Sequence, residues 1–183
     1  MRERIVAAAV ATTTESGWSG VTMGGIAERV GVSRQTVYNE VGTKDGLAAA
    51  MILHELDRFL GVVTRAFDGH PTDLVDAIRA ASGGVLELAR DNKLLHAVVS
   101  ATHGADTELL PLLTTHAESL LEAVKLVVRE RVAPYDVALD SAQLDAAIDM
   151  VVRVVLSHVM QPSGPPARTA DDIAWISARV LRD

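Results

Sequence analysis

Four side chains able to make paired or charged hydrogen bonds stand close together between Ser33 and Val41: Arg34, Gln35, Thr36 and Asn39. The amides of Gln35 and Asn39 each carry a donor beside an acceptor, the arrangement that pairs with the major-groove edge of adenine. The Arg34 guanidinium suits guanine or a phosphate. At about 100° per residue, Gln35, Thr36 and Asn39 fall on one side of a helix and Val37 and Val41 on the other. One face can therefore be buried while the polar face meets a groove. Tyr38 lies at the flank, where a phenol donates to a phosphate oxygen. Thr22 and Ser33 open helices whose N-termini attract phosphate, and Lys44 comes just beyond. Glu40 suits phosphate poorly, and either holds Arg34 or marks the edge of the footprint.

Other chemistries find less support. The six histidines, His54, His70, His96, His103, His116 and His158, include no pair at the His-x-x-x-His spacing of a metal-binding helix face, and the carboxylates are scattered. Cysteine is absent, which excludes disulfides, thiolate metal sites and cysteine nucleophiles and suits a reducing cytoplasm. No catalytic group, metal or cofactor is expected, so the chain reads as a non-enzyme. A lipid carrier or helical scaffold fits the composition of residues 46–183 but not the segment before them.

The elements that must position the polar face are helices, because Ala, Leu and Val abound and only 6 prolines interrupt 183 residues. The reading is an all-α chain of about nine helices. A first helix spans Arg2 to Glu15, Thr22 caps Met23 to Val30, and Ser33 caps Arg34 to Val41. Ile26 and Val30 point inward one turn apart, Ala27 leaves room, Gly31 makes the turn, and Val32 and Val37 close the core. That is what two helices crossing steeply require. Trp18 is expected to pack over this small module. A long helix capped by Thr43 runs to Phe67–Gly69, and another from Pro71 and Thr72 to about Arg90. Asn92–His103, Asp106–Val132, Ser141–Met160 and Asp171–Leu181 complete the series, with a loop from Gln161 to Arg168. A secretory leader is disfavoured, since the run Ile5–Ala11 is short and mostly alanine. The longest apolar stretch, around Ile148 to Met160, holds Asp149 and Arg153, so no membrane span is expected.

Charge divides the chain. Residues 1–45 balance five basic groups against five acidic ones, and the remainder carries the whole net charge of −7. A neutral end on an acidic body suits a protein that brings only that end to phosphates.

The string T-x-x-x-I-A-x-x-x-G-V-S-x-x-T-x-Y followed by K-D-x-L resembles the N-terminal signature of tetracycline-repressor (TetR) family regulators. The resemblance covers Ile5 to Leu47. It implies an N-terminal three-helix helix-turn-helix DNA-binding domain, residues 1–45, and a C-terminal helical ligand-binding and dimerisation domain, residues 46–183. It also assigns DNA contact to Thr22, Ser33, Arg34, Gln35, Thr36, Tyr38, Asn39 and Lys44. The sequence departs from the pattern at Asn39-Glu40-Val41, and Gly24-Gly25 should weaken the second helix. The run R-Q-T-V-Y-N-E-V-G-T-K further resembles a subgroup linked to alkane or fatty-acid metabolism.

The expected partners are a palindromic double-stranded DNA operator, a second copy of the chain and a small hydrophobic ligand, with no membrane. The expected dimer interface comprises Ile148, Val151, Val152, Val155 and Val159 with Ile173, Ile176 and Val180, because residues 141–160 are apolar on nearly every side. Residues 72–133 hold no aromatic side chain, which disfavours flat ligands and favours an aliphatic or acyl chain. The candidate lining is Leu86, Leu95, Val99, Leu113, Leu120 and Val124, with His96, His103, Thr114 or His116 for a polar head. The alternative is a closed aliphatic core. The function so read is a ligand-responsive transcriptional regulator, a repressor that an aliphatic effector releases from DNA.

Overall fold

A computed structural model describes residues 1–96 and 110–181, except for the side chains of residues 110–117. Among the described residues the regular structure is helical, without strands. The helices are α1 (Arg2–Ser16), α2 (Met23–Val30), α3 (Arg34–Val41), α4 (Lys44–Gly69), α5 (Leu74–Arg90), α6 (Leu110–Val132), α7 (Ser141–Met160) and α8 (Pro166–Val180). Residues 93–96 are also helical, and the rest of the helix expected over Asn92–His103 lies outside the described residues. The chain divides into two compact units, residues 1–57 with 92–118 and residues 58–91 with 119–183.

The first unit folds around Ile5, Ile26, Val37 and Leu47, all fully buried, with Ala9, Val21, Ala27, Val30 and Val41 beside them. Its helices start where the sequence supplies caps. The Thr22 hydroxyl accepts from the Gly25 amide at 3.0 Å, and Ser33 accepts from Thr36 at 3.0 Å. Gly31 ends α2 at φ 75°, ψ 41°, a left-handed conformation that costs a Cβ-bearing residue free energy. The Gly31 and Val32 amides then donate to the Ala27 carbonyl, each at 2.9 Å, and the chain turns directly into α3. Gly24 and Gly25 do not prevent α2 from forming, because its cap and its buried face of Met23, Ile26, Ala27 and Val30 hold it. Trp18 is buried in the same core, as expected.

The second unit has a core of Val63, Phe67, Ala77, Ala81 and Val132. Tyr135 packs edge-on against Phe67 at 6.1 Å between ring centroids and donates its hydroxyl hydrogen to the His70 carbonyl at 2.8 Å. α5 lies closely along α8, where small residues meet: Ala77, Ala81 and Ser82 are buried on α5, and Thr169, Ala170, Ala174 and Ser177 on α8.

Two helix starts differ from the sequence reading. α5 begins at Leu74, because Asp73 rather than Thr72 accepts the capping bond, from Asp76 at 2.9 Å. α8 begins at Pro166, five residues before Asp171, because proline at the first helical position sacrifices no hydrogen bond and its φ is already helical. α7 opens with a capping box in which Asp140 and Gln143 exchange bonds of 2.9 Å.

Candidate nucleic-acid interface

α3 presents the polar face that its sequence implies. Val37 and Val41 are buried, whereas Arg34, Gln35, Tyr38 and Asn39 are exposed and Thr36 is half-buried. Thr22 and Ser33 are exposed at the helix starts, and Lys44 is half-buried. The structure therefore gathers Ser33, Arg34, Gln35, Thr36, Tyr38 and Asn39 on one short helix and its cap, with Thr22 opening α2.

Local hydrogen bonds order these groups. The Gln35 amide nitrogen donates to the Asn39 side-chain oxygen at 2.9 Å, one helical turn on. The hydroxyls of Ser33 and Thr36 lie 2.9 Å apart. A face stiffened in this way loses less side-chain freedom when it docks.

The cations of the module are mostly engaged within it. Arg29 makes a bidentate pair with Glu15 at 2.6 and 2.7 Å, and this hydrogen bonding holds the Glu15 carboxyl below the ordinary glutamate range. Arg2 donates to the Glu40 carbonyl at 2.9 Å and Arg4 to the Val30 carbonyl at 2.9 Å. The Lys44 ammonium stands 4.9 Å from the centre of the Trp18 ring, a cation–π contact that the sequence did not reveal. Arg34 has no hydrogen bond or ion pair among the described residues. Of the two alternatives for Glu40, the one in which it holds Arg34 is not met. Arg34 instead runs towards α2, where a Cβ on Gly24 would lie 3.7 Å from its Cδ and 3.8 Å from its Nε. Gly24 thus leaves that side open.

The other residues expected in sites differ in burial. Leu86 is buried on α5, Leu95, Leu120 and Val124 are half-buried, and His96 is exposed. Val99 and His103 lie outside the described residues, as do the side chains of Leu113, Thr114 and His116. Of the residues expected at a dimer interface, Ile148, Val152 and Ile173 are already buried within the single protomer. Val151, Val155 and Val159 are half-buried. Ile176 and Val180 remain exposed, and the bare apolar surface of α7 and α8 also includes Met150, Val154, Leu156, Met160 and Trp175, which the sequence reading omitted. Among the described residues no cluster of three His, Asp or Glu side chains could hold a metal, and no helix is long and apolar enough to cross a membrane.

Two short helices joined through a left-handed glycine, the second with an exposed amide-bearing face, define a helix-turn-helix DNA-binding protein. Comparison with known proteins specifies the class. Residues 5–51 match the family model of bacterial regulatory proteins of the tetR family, and residues 73–179 match that of the bacterial tetracyclin repressor C-terminal domain. The chain belongs to the TetR family of transcriptional regulators.

It is 26% identical over 157 residues to the HTH-type transcriptional regulator AlkX of Mycobacterium tuberculosis, covering 86% of this chain and 74% of that protein. It superposes on the crystal structure of the TetR family repressor AlkX from Dietzia sp., implicated in biodegradation of n-alkanes. The TM-score is 0.78 at 27% identity, covering 97% of this chain and 96% of the other. The transcriptional regulator FadR of Bacillus subtilis, solved with stearoyl-CoA, shares the fold at TM-score 0.63 and 15% identity, over 99% and 98% of the two chains.

Proposed function

We propose that the chain is a repressor that binds a palindromic operator as a homodimer and leaves it when a small aliphatic or acyl-chain effector binds. Residues 1–45 read DNA in this account, and residues 46–183 sense the effector and pair the two copies, within the cytoplasm. The observation that carries the reading is the face of α3 formed by exposed Gln35 and Asn39 with half-buried Thr36, held on a buried Val37–Val41 side. Thr22, Ser33, Arg34, Tyr38 and Lys44 are the flanking contacts to phosphate or base edges.

Pairing is supported by apolar surface on α7 and α8. Trp175 is 62% exposed, Met150 62% and Ile176 54%. Large side chains left in water in such a group favour burial against a second copy. A two-fold pair would set two α3 helices into successive major grooves, about 34 Å apart.

The aliphatic effector is supported by the aromatic-free stretch of residues 72–133 and by the likeness to the n-alkane-associated AlkX of Dietzia. Each buried methylene of a chain would contribute about 0.8 kcal/mol to binding. The effector must prefer one state of the pair, since equal affinity for two states shifts nothing.

Titrating alkanols and fatty acids of increasing length against the DNA complex, with sedimentation of the unliganded protein, tests the proposal. Release that strengthens with chain length, from a dimer, is the expected result. A monomer at micromolar concentration, or release by planar aromatics without chain-length dependence, would contradict it.

A further inference from the structure

The first turn of α1 carries two arginines, and each reaches the C-terminal end of a different helix of the helix-turn-helix. Arg4 Nη2 donates to the carbonyl of Val30, the last residue of α2, at 2.9 Å. Arg2 Nη1 donates to the carbonyl of Glu40, next to the last residue of α3, at 2.9 Å. The last four carbonyls of a helix lack intrahelical donors, and the negative end of the helix dipole favours a cation there.

α3 needs such a partner. It is eight residues long, has no basic residue in its last turn, and carries the acidic Glu40 there, the wrong sign for that end of the dipole. Its glycine stop, Gly42 at φ 72°, ψ −118°, satisfies the Tyr38 carbonyl at 2.9 Å and leaves Glu40 to Arg2. Arg2 therefore supplies from 38 residues away the cation that the local sequence omits.

We propose that Arg2 is a positioning residue for DNA recognition: by holding the Glu40 carbonyl it fixes the far end of α3 on α1. This in turn sets the angle at which Gln35 and Asn39 enter the groove. Arg4 does the same for the end of α2, so both helices are referred to one frame, α1. The inference rests on the reading of α3 as the DNA-reading helix. It differs from a phosphate role for Arg2, in which the guanidinium would contact DNA and carry no sequence preference.

The two roles separate by measurement. Duplexes selected from a random pool by the unaltered protein, and scrambled versions of them, are titrated with the full chain and with Arg2→Ala and Arg2→Lys at several salt concentrations. A positioning role predicts that Arg2→Ala lowers the ratio of selected to scrambled affinity by roughly two- to fivefold, the scale of one cation at a helix C-terminus. The slope of log affinity on log salt stays unchanged, and Arg2→Lys, which still donates to a carbonyl, restores most of the ratio. An unchanged ratio overturns the proposal. So does an equal loss on both duplexes with the slope smaller by about one, the mark of a lost phosphate contact. Should Arg2→Ala not fold, as judged by circular dichroism, the ratio for Arg2→Met, which keeps an apolar stem but has no donor or charge, decides by the same criteria. Failure of the unaltered protein to select any duplex would refute the DNA-reading assignment of α3 itself, a separate outcome.

Discussion

The Gln35 side-chain amide donates to the Asn39 side-chain oxygen at 2.9 Å, so the two groups best suited to adenine hold each other on the open face of α3. Binding must either exchange that bond for base contacts or extend it into a joint bidentate edge, and both routes make the residues a unit. Gln35→Ala and Asn39→Ala should each relax base preference, at about 1–3 kcal/mol per lost bidentate contact. Because the side chains share a bond, the double variant should lose less than the two single losses added. Titration of selected and scrambled duplexes checks both points. Equal losses on the two duplexes would show that neither residue reads bases.

Lys44 is expected to meet phosphate, and the structure adds that its ammonium sits 4.9 Å over the buried Trp18. Lys44→Ala should weaken all duplexes alike and reduce the salt slope by about one. It should also cost about 0.5–1 kcal/mol of stability through the lost cation–π contact. Salt titrations and urea melts followed by tryptophan emission measure the two effects. An unchanged slope would remove Lys44 from the interface.

Two adjacent glycines in α5 should respond differently to alanine. A Cβ on Gly84 would lie 2.6 Å from Val62 Cγ1, and valine has little rotamer freedom with which to retreat. A Cβ on Gly83 would meet Ala170 Cβ at 3.4 Å, an acceptable contact. Alanine gains about 1 kcal/mol of helix propensity at either site, whereas overpacking costs about 1–3 kcal/mol. Gly84→Ala should therefore be destabilising by about 1 kcal/mol and Gly83→Ala neutral to stabilising. Urea unfolding of both variants checks this, and equal midpoints would contradict the close approach of α4 and α5.

Asp149 on α7 accepts from Arg153 at 2.7 Å and from Lys125 of α6 at 3.1 Å. The Arg153 hydrogen bond, then that of Lys125, holds its carboxyl below the ordinary aspartate range. A carboxyl depressed in the folded state stabilises fully above its unfolded pKa, about 3.9, and that contribution disappears as pH falls through the lower folded value. Acid unfolding should therefore be less steep below about pH 4 in Asp149→Asn than in the unaltered chain. Identical acid profiles would show that the pairs contribute nothing.

Legibility in the sequence depended on how locally each feature is encoded. α2 and α3 could be bounded to the residue, because Thr22, Ser33, Gly31 and Gly42 write their caps into adjacent positions. The start of α8 could not, since Pro165-Pro166 reads as loop until the helix behind it is seen. The apolar pattern placed Ile148, Val152 and Ile173 at an interface with a second copy, whereas the protomer by itself already buries them, because periodicity marks an apolar face and not what covers it. The bonds from Arg2 to Glu40 and from Arg4 to Val30 span 38 and 26 residues. No local pattern announces contacts over such separations. The polar face of α3 was legible because buried Val37 and Val41 leave only one direction for Gln35, Thr36 and Asn39.

Two copies of α3 are expected to read two half-sites related by a two-fold axis. Selection of duplexes from a random pool by the full chain, with sedimentation of the selected complex, tests it most directly. The account predicts an inverted repeat whose half-sites are centred about one helical turn apart, 34 Å, with two chains per duplex or a multiple of two. Enrichment of no sequence, or of an unrepeated site occupied by a single chain, would contradict it.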